Sequence, residues 1–201
     1  MSIYEDKVTS KSKSVEDSTK ASDAFNEITY AFDIKDSVVY LIGDVDGFTL
    51  FDLMTRVRTI LRSRSDDDKT PINLVINSEG GCVYEMLAIV DYMNSLSVPV
   101  NTICRGKAFS AAAVILANGT GERFASKHST IMFHQTSAWL QGKQADVKAS
   151  IHHVSEMETR INKLLSEKTT LSPDEWEQIQ RTDYWLTSDK ALEIKIIDQI
   201  I

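Results

Sequence analysis

Short runs dense in β-branched residues alternate with stripes of helical period along this chain, and that alternation limits its fold more than any other feature. Ser37-Val38-Val39-Tyr40-Leu41-Ile42 has strand composition and is closed by Gly43-Asp44. From Phe48 to Arg62, Leu50, Leu53, Met54, Val57, Ile60 and Leu61 make a helical stripe, with Arg56, Arg58 and Arg62 facing away. The unit then recurs. Pro71 to Asn77 is a second strand, Val83 to Ser95 a helix and Val100 to Cys104 a third strand. An alanine-rich helix follows, ending near Asn118-Gly119. A short β-like piece at Glu122 to Ala125 precedes a fourth strand, Thr130 to His134. Strands alternating with helices of about a dozen residues predict βαβ units and a mainly parallel sheet covered by its crossovers, an α/β fold.

The remainder is helical. Gln141-Gly142-Lys143 breaks the pattern before a long helix, roughly Ala145 to Lys168, whose apolar positions Val147, Ile151, Val154, Met157, Ile161 and Leu164 step by three or four. Such a helix outlasts the sheet it could cover, so part of its stripe is expected to pack against another subunit. His152 and His153 on it diverge by about 100° and cannot share a metal as an i, i+4 pair could; they read as surface residues. Ser172, Pro173 and Glu175 form a capping box with proline at the first helical position, opening a helix to about Arg181. A last helix follows the cap Thr187-Ser188 and ends at Lys195.

At 201 residues and 42% hydrophobic, the chain can build one substantial core and is too short for two ordinary enzyme domains. Residues 1 to about 25 are rich in Ser, Lys, Asp and Glu and read as a mobile N-terminal arm; residues 26–201 read as one domain. A net charge of −7 argues against a nucleic-acid partner. No apolar run approaches the roughly 18 residues of a membrane span, and no apolar leader opens the chain, so neither membrane nor export is expected. Cys82 and Cys104 lie in apolar contexts without metal-ligand spacing and read as two buried free thiols in a reducing compartment, with a thiolate nucleophile at Cys82 the lesser reading.

Candidate chemistry centres on Arg105 to Ala113. Gly106 permits a tight turn and Ser110 falls at the start of the alanine-rich helix, where backbone N–H groups lack intrahelical partners. A hydroxyl there is an N-cap or a nucleophile, and capping alone would account for it. A nucleophilic serine needs a base, a group to orient the base, and donors for the oxyanion. His134, at the end of a strand, can reach the sheet edge where ligands bind in α/β folds. A histidine merely hydrogen-bonded at a strand end fits equally well. Asp183 is the weaker candidate for the orienting carboxylate, because caps and loops also collect aspartates. The order Ser, His, Asp and the pattern Gly-x-x-x-Ser disfavour the α/β-hydrolase elbow. Gly80-Gly81, between a strand and a helix, lets a peptide backbone approach and leaves an N–H to donate.

Four segments in register carry a resemblance. Ile76 to Gly81, Thr102 to Ser110, Ile131 to Gln135 and Gln141 to Asp146 together resemble the proteolytic subunits of the Clp protease, the ClpP family of S14 serine peptidases, collinearly from about Val38 to Asp198. The resemblance implies a crotonase-like fold of repeated ββα/βαβ units with a protruding handle at about 136–168, made of the long helix and a preceding Gln-Gly strand. It implies Ser110 as nucleophile, His134 as general base and then acid, and Asp183 as orienter, picked by Asp183-Tyr184-Trp185-Leu186-Thr187. Gly81 and Ala111, with Gly80 beside them, would offer oxyanion and peptide-binding N–H groups. It further implies two stacked seven-membered rings enclosing a chamber, unfolded polypeptides as substrates, a partner AAA+ unfoldase that uses ATP, no cofactor or metal on this chain, and a location in the cytoplasm or an organelle of bacterial descent.

The chain departs from the family pattern at several places. Glu79 and Thr136 stand where prolines are usual; Asn73, Val75 and Ser95 replace aromatics; Arg181-Thr182 replaces an Asp-Arg pair. Lys195 replaces the glycine that ends the last helix, which requires a left-handed residue or a different cap. A ring subunit without turnover, or an acyl-CoA hydratase or isomerase on the same fold, are the competing readings. The last would need acid/base carboxylates that the sequence does not show.

Overall fold

The computed structural model describes residues 33–201. The N-terminal arm expected over residues 1–25 lies outside the described residues. Five parallel strand pairings build the main sheet among the described residues. Strand β1 (Val38–Val45) leads through helix α1 (Gly47–Ser63) to β2 (Ile72–Gly81), and α2 (Val83–Ser95) leads to β3 (Val100–Phe109). Helix α3 (Ala111–Ala117) then returns the chain to β4 (Arg123–Ala125) and β5 (Thr130–Phe133). The long helix α4 (Gln144–Lys168), α5 (Pro173–Ile179), β6 (Tyr184–Thr187), α6 (Ser188–Glu193) and β7 (Gln199–Ile200) complete it. Among the described residues the sheet has seven strands, β1-β2-β3-β4-β7 in order, with β5 branching from β3 and pairing with β6. The α/β class expected from the alternation is what the chain forms.

Each covering helix buries the stripe its sequence predicts. Asp46 caps α1, its Oδ1 accepting from Thr49 N–H at 2.8 Å, and Leu53, Val57 and Ile60 face the sheet. Met86, Ile89, Val90 and Met93 do the same for α2. All seven residues of α3 are buried, and its four alanines keep the helix slender enough to lie close against β2 and β3. The capping box at Ser172 is present: Glu175 N–H donates to Ser172 Oγ, and Glu175 Oε2 accepts from Ser172 N–H at 2.8 Å. Trp176, next in sequence, is fully buried against Phe133.

Several elements differ from expectation, each for a non-local reason. Strands β2 and β3 run four and five residues past their predicted ends, because neighbouring strands continue to offer partners: Val45 opposite Gly81, and Thr130 to Met132 opposite Lys107 to Phe109. Strand β3 pairs with β4 at Thr102 to Cys104 and with β5 at Lys107 to Phe109, changing neighbour at Gly106 (φ 100°). The four residues of β6 carry too little pattern to read as a strand and are held by antiparallel pairing to β5. No strand forms at Gln141-Gly142 in the single chain, where no neighbouring strand is at hand. Helix α4 is present over about 37 Å at 1.5 Å per residue, yet its buried residues begin only at Met157. Ile151, in its first half, remains half-exposed, and Trp139 just before the helix is 92% exposed.

Cys104 is buried, and burial pushes its thiol up to about 11. Cys82 corrects the expectation of two buried thiols: it caps α2 where the chain leaves β2, outside both packed layers, and is exposed. Lys195 takes the left-handed option (φ 60°), and Ile196 N–H closes back onto Ala191 C=O at 2.8 Å, a Schellman ending made without glycine. Because a Cβ in that conformation costs about 1–2 kcal/mol, Lys195→Gly is expected to raise stability by about 0.5–1 kcal/mol after its own entropy cost. Denaturant melts of the two proteins check this.

Candidate active site

The strand pairings that build the sheet also bring Ser110 to His134. In the β3–β5 ladder Phe109 lies opposite Met132, so the residue after β3 and the residue after β5 emerge at the same edge. Ser110 N–H donates to Met132 C=O at 2.8 Å, fixing the turn against β5. Ser110 has φ 53° and ψ −123°, a backbone conformation that a side-chain-bearing residue occupies only under constraint from its surroundings. Its carbonyl accepts the first bonds of α3, from Ala113 and Val114, but its hydroxyl caps nothing. The hydroxyl instead lies 2.8 Å from His134 Nε2. At that distance Oγ–H donates to Nε2 when Nδ1 carries the ring hydrogen. Capping therefore does not account for this serine.

The glycine pair closes the other side. A Cβ on Gly80 (φ 96°) would come within 2.5 Å of Phe109 O and 2.9 Å of both Ala111 N and Ser110 Cβ, so only glycine lets β2 lie against the serine turn. A Cβ on Gly81 would collide with Val45 O. Ser78 Oγ accepts from Gly80 N–H at 3.0 Å and donates to Gly43 O, locking the loop from beneath. Gly81, Ser110, Ala111 and His134 consequently line one narrow cavity of about 60 Å³. Ala111 is the first residue of α3, where an N–H has no intrahelical acceptor and the helix end is electropositive. Beside it, sharing Gly81, Val83, Thr136 and Ser137 as walls, lies an apolar groove of about 630 Å³ bounded by Cys82, Tyr84, Leu140, Val154 and Met157. Tyr84 OH and His153 Nε2 are 2.9 Å apart across it, so His153 has a partner within the groove while His152 pairs with Glu156 outside.

Asp183 is brought near but not joined. The β5–β6 ladder ends with Phe133 opposite Tyr184, and one further step would set Asp183 opposite His134, on the face that carries Met132 and Trp185. The chain departs from that register: Gln135 N–H donates to Gln180 O at 3.0 Å, rather than to position 182. Among the described residues no hydrogen bond links Asp183 to His134, and Asp183 is exposed. Gln180 is itself held, its Nε2 donating to Asn162 Oδ1 at 3.0 Å in the buried contact between α5 and α4.

Two of the departures from the family pattern carry new contacts. Lys107 Nζ lies 2.5 Å from Glu79 Oε1, and that ammonium holds the Glu79 carboxyl below its usual value; the pair is exposed at the outer side of the glycine loop. Thr136 N–H donates to Glu158 Oε1 at 3.1 Å, a bond no proline could make. Glu158 lines the Ser110 cavity and was not foreseen from the sequence. Its signals are its place on α4 between Met157 and Ile161, at the margin of the buried stripe, and the amide hydrogen regained at position 136.

Set against known protein families, the chain matches Clp protease over residues 23–201. It belongs to the Clp protease family. That family is generally one of ring-forming peptidases that work with Clp unfoldases, and the mixed α/β sheet is consistent with its fold. No helix among the described residues is long and apolar enough to cross a membrane.

Proposed function

We propose that this Clp protease family member is a serine endopeptidase that cleaves unfolded polypeptides inside a chamber of two stacked seven-membered rings. The 2.8 Å approach of His134 Nε2 to Ser110 Oγ carries the reading. In it, Ser110 Oγ attacks the scissile carbonyl while His134 takes the hydroxyl proton, and the N–H groups of Gly81 and Ala111 receive the developing oxyanion. The tetrahedral species collapses to an acyl-enzyme as His134 hands its proton to the leaving amine; water, deprotonated by the same ring, releases the acid. Asp183 orients His134 once the register between β5 and β6 is completed by a neighbouring subunit at the exposed edge.

The chain itself needs no cofactor or metal for these steps, ATP being spent by a partner AAA+ unfoldase. That partner would meet Asn73 and Val75 rather than aromatic side chains, which favours weaker docking than is usual for such pairs. The compartment is the cytoplasm or the interior of an organelle of bacterial descent.

A fluorophosphonate probe tests the nucleophile. The assembled protein is expected to be labelled at Ser110 and the Ser110→Ala variant to be unlabelled; absence of labelling in a ring-sized particle overturns the reading. The exposed Asp183 favours the second reading, a ring subunit without turnover, which predicts that same absence together with altered turnover of an active partner subunit.

A further inference from the structure

We infer that Glu158 selects the side chain that enters the Ser110 cavity, favouring an unbranched residue with a cationic end, lysine above all, just before the scissile bond. The inference rests on the peptidase reading above. Apolar Val83, Met86, Val114, Phe133 and Ile161 share the cavity wall with polar Ser110, Thr136, Ser137 and Gln180, and Glu158 is its one ionisable group besides His134. Glu158 is half-buried there, and a carboxylate withdrawn from water needs donors to compensate it. Here a single donor does so, Thr136 N–H on Oε1. Among the described residues no cation lies within salt-bridge distance of Glu158, whereas the exposed Glu79 has Lys107. The carboxylate is therefore partly compensated, and a substrate ammonium would complete it.

Size agrees with charge. About 60 Å³ is room for roughly four water molecules, which suits the narrow stem of an unbranched side chain and excludes an indole ring. A lysine would lay its methylenes along Val83 and Ile161 and bring its ammonium to the free oxygen of Glu158, the arrangement such side chains adopt at apolar surfaces with a polar end. A site built around a charged acceptor discriminates against analogues lacking the donor far more than an apolar pocket discriminates between methylenes. Thr136 contributes by holding the carboxylate in place: with a proline there, Glu158 would have no anchor from that segment.

The test compares two fluorogenic peptides identical except for lysine or methionine before the scissile bond, cleaved by the assembled protein and by Glu158→Gln. The amide oxygen of the variant still accepts from Thr136 N–H, so the change removes charge and little else. The expected result is a lysine-to-methionine ratio of kcat/KM that falls about tenfold in the variant; being internal to each preparation, the ratio is indifferent to how much protein is active. An unchanged ratio, with Ser110 still labelled by the fluorophosphonate, overturns the role of Glu158 and leaves the peptidase reading standing. No cleavage of either peptide and no labelling overturns the peptidase reading, and this inference falls with it.

Discussion

His134→Ala is expected to lower kcat on an unfolded polypeptide by about five to six orders of magnitude, Ser110→Ala by as much, and Asp183→Ala by about four. In the proposed mechanism the three groups act as one unit. Ser110 Oγ sits 2.8 Å from Nε2, so removing the ring leaves a neutral hydroxyl with no acceptor for its proton, while removing the hydroxyl leaves a ring with nothing to activate. The combined Ser110→Ala, His134→Ala variant should therefore be no worse than either alone. The residual rate would come from Gly81, Ala111 and the groove, which remain intact. The same logic examines Asp183, which is exposed and unbonded in the single chain. If assembly brings it to Nδ1, Asp183→Ala added to His134→Ala costs nothing further. If the two losses multiply instead, Asp183 acts elsewhere and does not orient the base. Single-turnover kinetics on each variant, at matched ring assembly, reads the result.

The second large effect is on stability. Arg123→Met is expected to cost about 3 kcal/mol at neutral pH. Arg123 is buried and its guanidinium gathers three separate parts of the chain. Its Nη2 and Nε bond Asp198 at 2.7 and 3.0 Å, and Nη1 bonds the carbonyls of Ala117 and Lys168, the last residues of α3 and α4. Methionine fills the space but leaves the two helix-end carbonyls without that donor and strips Asp198 of its guanidinium partner, so that the carboxylate keeps only the N–H of residue 123.

Part of this contribution depends on pH. Hydrogen bonds from the Arg123 guanidinium, against an opposing effect of burial, hold the Asp198 carboxyl below its ordinary 3.8. A carboxyl whose folded value is lowered contributes stability that is fully present above the unfolded value and is lost as pH falls through the folded one. Asp198 is 38% exposed, so solvent screening keeps that portion modest. The gap between wild type and Arg123→Met should thus narrow between pH 7 and about pH 3. Urea melts at the two pH values, at fixed protein concentration because assembly adds its own stability, show it; an equal gap at both would mean that the ion pair contributes nothing beyond packing.

How much of this was legible in the sequence follows from the range of the interactions involved. Helices α1 and α2 were read to within a residue or so because their stripes and their ends depend on neighbours three or four positions away. The capping box of Ser172 and Glu175 is likewise complete within one turn. The α/β class followed from the alternation of such units, and the four motifs in register pointed to the family that the match over residues 23–201 shows.

Contacts between distant segments decided the rest. Whether the Ser110 hydroxyl caps its helix or meets another side chain could not be told from its own turn; the β3–β5 register decides that by setting His134, 24 positions along, beside the hydroxyl. Strand β6 exists only because β5 offers it an edge, and the Gln-Gly strand is missing because the single chain offers none. Cys82 is exposed because the chain turns out of the sheet there, and Glu158 reaches the cavity because Thr136 has an N–H to hold it. Periodicity and capping are short-range physics and are written in the order of residues. Which side chains from different strands and helices come to share one cavity is a property of pairing register and packing, and only the folded chain expresses it.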